Sequence, residues 1–287
     1  MYDVIIIGSG PAGISASLYT ARANLKTLVI GLESSLAKSR LVDNYYGFKD
    51  GISGYELLQN GWRQAEKFKA QIIEDEVIAL EYDFKGVYTV KTKDSSYNSR
   101  SVLLSAGSEG KKAPIKDIEK FEGKGVHYCT TCDGYFYRGK KVGILGYSEY
   151  ALNELNEMKH FTDNITLLTD HNELTIDPQD TRVETKKIYR FEGGEYLDDV
   201  VFEDGTTEKY DGIFVAFGKA SSIDFARKLG IVLKDGIIET DKNQRTNIEG
   251  LYAAGDCSSN IKQIAVAVGQ GAVAGLNICE YIRKSRR

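Results

Sequence analysis

The stretch Tyr2-Asp3-Val4-Ile5-Ile6-Ile7-Gly8-Ser9-Gly10-Pro11-Ala12-Gly13 decides the fold. Its apolar run reads as a buried parallel strand, and the glycines follow it directly. Gly8 permits a tight turn, Gly10 lets a pyrophosphate approach bare backbone, and Gly13 allows the next helix to pack closely on the strand. Pro11 suits a first helical turn that needs no donor there, while Ser9 and Ala12 complete the loop. The helix N-terminus then turns its partial positive charge toward the phosphates. Beyond the helix, which runs through Arg22, residues 25–30 read as a second strand. Glu33 stands 20 residues after Gly13 (33 − 13), the spacing at which an acid binds ribose hydroxyls. Strand, glycine pattern, helix, strand and acid in that order specify a dinucleotide-binding α/β unit.

Working outward, residues 54–69 carry Leu57, Leu58, Trp62, Ala65 and Phe68 at helical spacing, and residues 72–73, 77–80, 87–90 and 102–104 read as strands. This is a helix followed by a meander. The pattern then begins again: a strand at 140–145, a turn opening at Gly146, helical periodicity over 149–161 and a strand at 165–169. Gly8 aligns with Gly146 and Gly13 with Ala151, both pairs offset by 138 (146 − 8, 151 − 13). Strands at 213–216 and 251–254 end in Phe217-Gly218 and Gly255-Asp256. A last helix, 261–282, contains Gly269, Gly271 and Gly275, each costing about 1 kcal/mol relative to alanine. Close approach of that helix to a cofactor or a neighbouring helix offsets such a cost. The expected fold class is therefore α/β, with two Rossmann-like, three-layer ββα dinucleotide-binding domains. The first is discontinuous, residues 1–112 and 242–287, and the second, 113–241, is inserted into it.

The chain has 287 residues, 42% of them hydrophobic, and a net charge of −4 with a pI near 5.6. Such a balance argues against general affinity for nucleic acid or membrane. No apolar stretch is expected to span a bilayer, and Met1 runs straight into the first strand without a charged-then-apolar leader, so cytoplasm is the expected location. The cysteines number four. Cys129 and Cys132 form a Cys-x-x-Cys pair, which in a reducing compartment is catalytic or metal-binding. Cys257 and Cys279 lack a matching second pair, so no metal site is expected. A dithiol beside a redox-nucleotide fingerprint points to disulfide chemistry, in which a thiolate of lowered pKa attacks a disulfide. His127, two residues before Cys129, either lowers the pKa of that thiol or is a structural histidine.

Taken together, several motifs resemble the low-molecular-weight thioredoxin reductases over nearly the whole chain. They are the Gly8-to-Gly13 fingerprint, Gly31-Leu32-Glu33, Val42-Asp43-Asn44 before Gly47-Phe48, Ser105-Ala106-Gly107, Cys129-Thr130-Thr131-Cys132-Asp133-Gly134, Val215-Ala216-Phe217-Gly218 and Leu251-Tyr252-Ala253-Ala254-Gly255-Asp256. The resemblance implies FAD in the first unit, thioredoxin as substrate and a homodimer. It assigns flavin contacts to Asn44, Val77, Ala106, Gly107 and Gly255. It places Asp256 at the ribityl chain, and Lys262, Gln263 and Ile264, where the family has Arg-Gln-Ala, at the isoalloxazine. By the same carry-over Cys132 faces the flavin, Cys129 attacks the substrate disulfide and Asp133 exchanges the proton of the departing thiolate.

Departures from the family cluster in the inserted unit. Gly146-Tyr147-Ser148 replaces its glycines, so a side chain projects where a pyrophosphate must meet backbone. Asp170-His171-Asn172 stands where a His-Arg-Arg takes the 2′-phosphate of NADPH. Only 42 residues separate His171 from Phe214 (214 − 171 − 1), a shortened unit. These features resemble the ferredoxin-dependent branch, which implies ferredoxin as electron donor. Asp170 also stands 19 residues after Ala151 (170 − 151), the place of an NADH-type acid, so NADH- or NADPH-dependent reduction remains the alternative. In the first unit Ser34-Ser35-Leu36 replaces Gly-Gly-Gln, and Tyr46 stands where the family has proline. Candidate docking patches for an acidic ferredoxin are Lys111-Lys112, Arg138-Lys140-Lys141 and the tail Arg283-Lys284-Arg286-Arg287.

Overall fold

A computed structural model describes residues 1–83, 85–107 and 113–286. It comprises two compact units, Met1–Glu109 with Ser221–Arg287, and Gly110–Ala220.

In the first unit β1 (Tyr2–Ile7) is buried from Asp3 onward, which is why its sequence carries no polar alternation. It leads into α1 (Pro11–Arg22) and β2 (Thr27–Ile30), which lies parallel to β1 with Val4 opposite Thr27 and Ile7 opposite Ile30. Next comes α2 (Gly54–Lys67), started by Ser53, whose hydroxyl accepts the Glu56 N–H at 3.1 Å. β3 (Gln71–Ile73) then adds to β2 in parallel. The meander is β4 (Val77–Tyr82), β5 (Tyr88–Thr92) and β6 (Ser96–Leu104). Its last strand returns parallel to β1, giving the order β3-β2-β1-β6-β5-β4.

The second unit opens with β7 (Val126–His127) and the single turn α3 (Thr130–Asp133). After them come β8 (Val142–Leu145), α4 (Glu149–Met158), β9 (Ile165–Leu168) and β10 (Arg182–Glu184). Three antiparallel strands follow, β11 (Ile188–Gly193), β12 (Leu197–Phe202) and β13 (Thr207–Lys209), and then β14 (Gly212–Val215). The parallel sheet has the order β10-β9-β8-β14-β7. β10-β9-β8-β14 repeats β3-β2-β1-β6, so the duplication seen in the glycine spacing is a duplication of topology.

The chain returns to the first unit at Ser221, 21 residues (242 − 221) before the expected boundary at 242. Ser221 and Asp224 form a capping box that starts α5 (Ser222–Leu229). Its first residue accepts the Ala106 N–H on Ser222 Oγ at 3.0 Å, and beyond it β15 (Leu233–Lys234) and β16 (Ile237–Ile238) form a hairpin. Ile238 donates its N–H to Cys257 at 2.7 Å. Residues 221–241 therefore find their hydrogen-bond partners in the first unit, whatever their place in the linear order. β17 (Leu251–Ala253) joins β6 in parallel and α6 (Ile264–Ser285) ends the fold.

α6 is long and apolar enough to cross a membrane by length and composition, contrary to the expectation that no segment is. Its apolar side is committed elsewhere: Ala267, Ala274, Ile278 and Ile282 are buried in a core with Val4, Ile6 and Ala16. A Cβ on Gly271 would collide with the Ala12 carbonyl oxygen, and one on Gly275 would stand 2.7 Å from that of Ala16, so α1 is the neighbour those glycines admit. Gly269 faces open space and does not share that role.

Candidate active site

In a parallel sheet the strand carboxyl ends define the ligand crevice. Here those of β1, β2, β6 and β17 bring together Gly8–Gly13, Glu33, Ala106-Gly107 and Gly255-Asp256. Gly8 takes φ +117°, a conformation that L side chains rarely adopt, and turns the chain from β1 into α1. Gly10 is the N-cap and supplies no side-chain acceptor, so no side chain caps the helix start. An added Cβ on Gly10 would meet nothing closer than Ser34 Oγ at 3.5 Å, which leaves a bare cradle for an anion. Ser9 donates its hydroxyl to Leu32 O at 2.9 Å and accepts Trp62 Nε1–H on its carbonyl at 2.9 Å, which fixes the loop. Glu33 is exposed.

From the other side Gly255, at φ +85°, donates its N–H to Gln270 Oε1 at 2.8 Å, tying the Gly255-Asp256 turn to α6. Asn44 Nδ2 donates to Gln263 Oε1 at 3.1 Å, so two residues 219 apart in sequence share one edge. Lys262 and Gln263 are exposed, and Ile264 opens α6. Val77, by contrast, opens β4 with its side chain buried in the core. Trp62 was read only as an apolar helical position, and Ser222 and Gln270 were not singled out in the sequence. Each acts through one hydrogen bond to a backbone group of a loop, and such bonds leave no periodic trace.

In the second unit Cys129 and Cys132 are joined as a disulfide. Cys129 caps α3, its Sγ accepting the Cys132 N–H at 3.1 Å, and is buried, whereas Cys132 is exposed. The Thr130 N–H, at the start of the same turn, donates to Glu154 Oε2 at 3.1 Å. Glu154 is a carboxylate on the buried face of α4, beside Tyr150, Ala151 and Leu155. Its signal was legible: a charge at an apolar helical position. Asp133 pairs with His127 Nδ1 at 3.0 Å. Burial pushes the Cys257 thiol up to about 12, with Asp256 adding to the rise, and Cys279 is also buried, so neither has the character of a reactive thiol.

The second glycine-type turn differs from the first at equivalent positions. Ser148 is the N-cap of α4 as Gly10 is of α1, but it carries a side chain, and that side chain donates to Gly218 O instead of capping. The Tyr147 ring packs edge-on against Phe217 at 5.3 Å between centroids. Its carbonyl accepts both Thr175 N–H and Thr175 Oγ1–H at 3.0 Å, which ties the loop after β9 onto the turn. Asp170 is turned inward. Its Oδ1 accepts the Ile188 N–H at 2.7 Å, and burial raises its carboxyl above the ordinary value. An inward carboxylate bound to backbone is not presented to a ribose.

A dinucleotide cradle in one α/β unit and a Cys-x-x-Cys disulfide in another define the class of dinucleotide-linked disulfide oxidoreductases. The chain belongs to the pyridine nucleotide-disulphide oxidoreductase family, whose model matches residues 2–271. It is 33% identical over 304 aligned residues to the thioredoxin reductase of Bacillus subtilis, covering 99% of this chain and 96% of that one. Among solved structures, it is similar to the atypical thioredoxin reductase TRi from Desulfovibrio vulgaris Hildenborough, with 39% identity, 99% of each chain covered and a TM-score of 0.95. A ferredoxin-flavin thioredoxin reductase from Clostridium acetobutylicum is similar at 31% identity, with 99% and 98% covered and a TM-score of 0.74. The thioredoxin reductases of this family are FAD flavoproteins, and the first unit fits that cofactor. The uncapped start of α1 would hold its pyrophosphate, Glu33 its ribose, and Asp256 with the start of α6 its flavin end.

Proposed function

We propose that this protein is a cytoplasmic, homodimeric thioredoxin reductase that draws electrons from reduced ferredoxin by way of FAD and passes them through Cys129 and Cys132 to the disulfide of thioredoxin. The observation that carries the choice of donor is the second turn. Ser148 places a side chain where Gly10 leaves bare backbone, Tyr147 beside it packs its ring on Phe217, and Asp170, the residue on which the NADH alternative rests, is spent on the Ile188 N–H. A ferredoxin supplies electrons to a flavin without occupying a dinucleotide crevice, so the loss of that crevice costs it nothing.

When bound, FAD supplies the redox chemistry that links one-electron carriers to a two-electron disulfide. The chain's own residues do the rest. Cys129, whose Sγ holds the Cys132 N–H, attacks a disulfide sulfur of thioredoxin, and Cys132 resolves the mixed disulfide. Asp133 accepts and returns the thiol proton. Tyr135 and Phe136, exposed directly after the pair, offer the apolar surface that a protein substrate needs. Of the expected cationic patches, Lys141 is paired with Glu208 at 2.7 Å, Lys284 with Glu280 and Arg286 with Asp3, both at 2.5 Å. Arg138 and Lys140 lie over the rings of Tyr135 and Tyr137, and Lys111, Lys112 and Arg287 fall outside the described residues.

Anaerobic titration of the purified yellow protein with reduced ferredoxin, NADH and NADPH in parallel tests the reading. Ferredoxin is expected to bleach the flavin and, with thioredoxin added, to drive insulin precipitation. Bleaching by micromolar NADH or NADPH at comparable rates would reject the choice of donor.

A further inference from the structure

His127 sits between two hydroxylic or acidic partners. Its Nδ1 is 3.0 Å from Asp133 Oδ2, and its Nε2 is 2.7 Å from the Tyr137 hydroxyl. The imidazole stacks on Phe214 at 5.2 Å between centroids, and Tyr137 meets the same ring edge-on at 5.3 Å. Space for Tyr137 exists because residue 212 is glycine: a Cβ there would overlap the tyrosine ring. The imidazole is thus fixed at both nitrogens and on one face. Such placement exceeds what filling a core requires.

We propose that His127 is a positioning residue for dithiol–disulfide exchange, holding Asp133 by Nδ1 and sharing the proton that Asp133 takes from the cysteine pair, with Tyr137 as the partner at Nε2. This rests on the reading of Cys129 and Cys132 as the exchange pair. In the exchange, Cys129 Sγ as thiolate bonds to one sulfur of a substrate disulfide while that S–S bond breaks and the other sulfur leaves as thiolate. Cys132 Sγ as thiolate then bonds to Cys129 Sγ and releases the second substrate sulfur. Two electrons pass to the substrate, and the two protons given up by the cysteine thiols equal the two taken by the substrate sulfurs. One of those protons rests on the Asp133–His127 pair, whose Oδ2 and Nδ1 stand 3.0 Å apart. When the imidazole is neutral, Nδ1–H donates to Asp133 and Nε2 accepts the Tyr137 O–H. When it holds the extra proton, both nitrogens donate and the tyrosine hydroxyl turns to accept.

Among the described residues, Lys140, Asp211 and Glu154 are the other charged groups at the cluster. Lys140 Nζ lies 5.4 Å from the Tyr137 ring centre, and Asp211 acts on Tyr137 through space. On α4, Glu154 holds the Thr130 N–H beside Cys129. Burial and the charges of Asp133 and Asp211 raise the Tyr137 hydroxyl above its ordinary value, which keeps it protonated and able to serve either role.

The test is the pH dependence of iodoacetamide alkylation at Cys129 and Cys132 in the flavin-loaded protein after reduction by a small dithiol, read by mass spectrometry. It uses neither ferredoxin nor thioredoxin. A failure of the donor reading therefore leaves it interpretable, and its own failure leaves the donor reading standing. Without the imidazole, the Asp133 carboxylate charge is uncompensated and opposes thiolate formation. His127→Gln is expected to alkylate about tenfold more slowly at pH 7, with the difference closing by about pH 9. Because the effect runs through Asp133, His127→Gln/Asp133→Asn should match Asp133→Asn alone. Should His127→Gln fail to fold, Tyr137→Phe, which keeps the imidazole and frees Nε2, is expected to slow the pH 7 rate about threefold. A His127→Gln profile superimposable on wild type, or a double variant in which the two effects multiply, would overturn the proposal. So would an unchanged Tyr137→Phe profile where that variant is the one measured.

Discussion

At the residue scale, Asp170 shows how one side chain can occupy the place of a specificity acid and serve another end. Burial raises its carboxyl above the ordinary value, while the hydrogen bond from the Ile188 N–H opposes the rise. A group raised in the folded state contributes stability below its unfolded pKa and loses it as pH climbs through the folded one. Ionised Asp170 is thus a burden at neutral pH. Asp170→Asn keeps an oxygen for the Ile188 N–H without the charge, so it is expected to melt at or above wild type at pH 7, with the difference fading in acid. Asp170→Ala orphans that buried N–H and should cost about 1–3 kcal/mol in chemical denaturation. A parallel fall of both variants with no pH dependence would contradict the assignment. Cys132→Ser tests a second residue. It is expected to retain the yellow colour and lose thioredoxin reduction entirely, since the mixed disulfide at Cys129 has no resolving thiol. Residual turnover in an insulin assay would remove Cys132 from that role.

Among the elements, α6 carries the sharpest contrast, because its three glycines look alike in sequence and differ in surroundings. Gly271 meets the Ala12 carbonyl and Gly275 that of Ala16, whereas Gly269 meets solvent. Gly271→Leu should therefore destabilise the protein by about 1–3 kcal/mol through overpacking and, by displacing the start of α1, lower the flavin retained per chain after purification. Gly269→Ala should gain up to about 1 kcal/mol with flavin content unchanged. Equal effects at the two positions would mean that α1 does not set the spacing. Strongly patterned elements were legible in advance: β1, α1, α2, α4 and β17 each carry either an unbroken apolar run or a helical repeat flanked by turn residues. α5 was not. Its eight residues give too few turns to establish a period, and the partner of Ser222 lies 116 residues away. The strands β11 to β13 escaped as well, being half-exposed and rich in charge.

For the whole molecule, the glycine spacing reported the duplicated topology because a turn between strand and helix tolerates few residues. What it left open was the fate of the second crevice, since a serine in place of glycine states a projection and not its direction. The structure supplies the direction: Ser148 to Gly218 O, Tyr147 onto Phe217, Thr175 onto the turn and Asp170 onto β11. On the proposed reading these four contacts together fill the second crevice, so reversing one or two of them is not expected to reopen it. Tyr147→Gly/Ser148→Gly restores the glycines but leaves Asp170 inward and supplies no cation for a 2′-phosphate. In calorimetry that variant should still show no binding of NADPH tighter than about 1 mM, equivalent to a free energy of about −4 kcal/mol. Its flavin should remain unbleached by NADPH under anaerobic conditions while reduced ferredoxin continues to reduce it. Micromolar NADPH binding by the double variant would instead mean that the two side chains alone had blocked an otherwise intact nucleotide site. Asp170 and the Thr175 loop would then be bystanders.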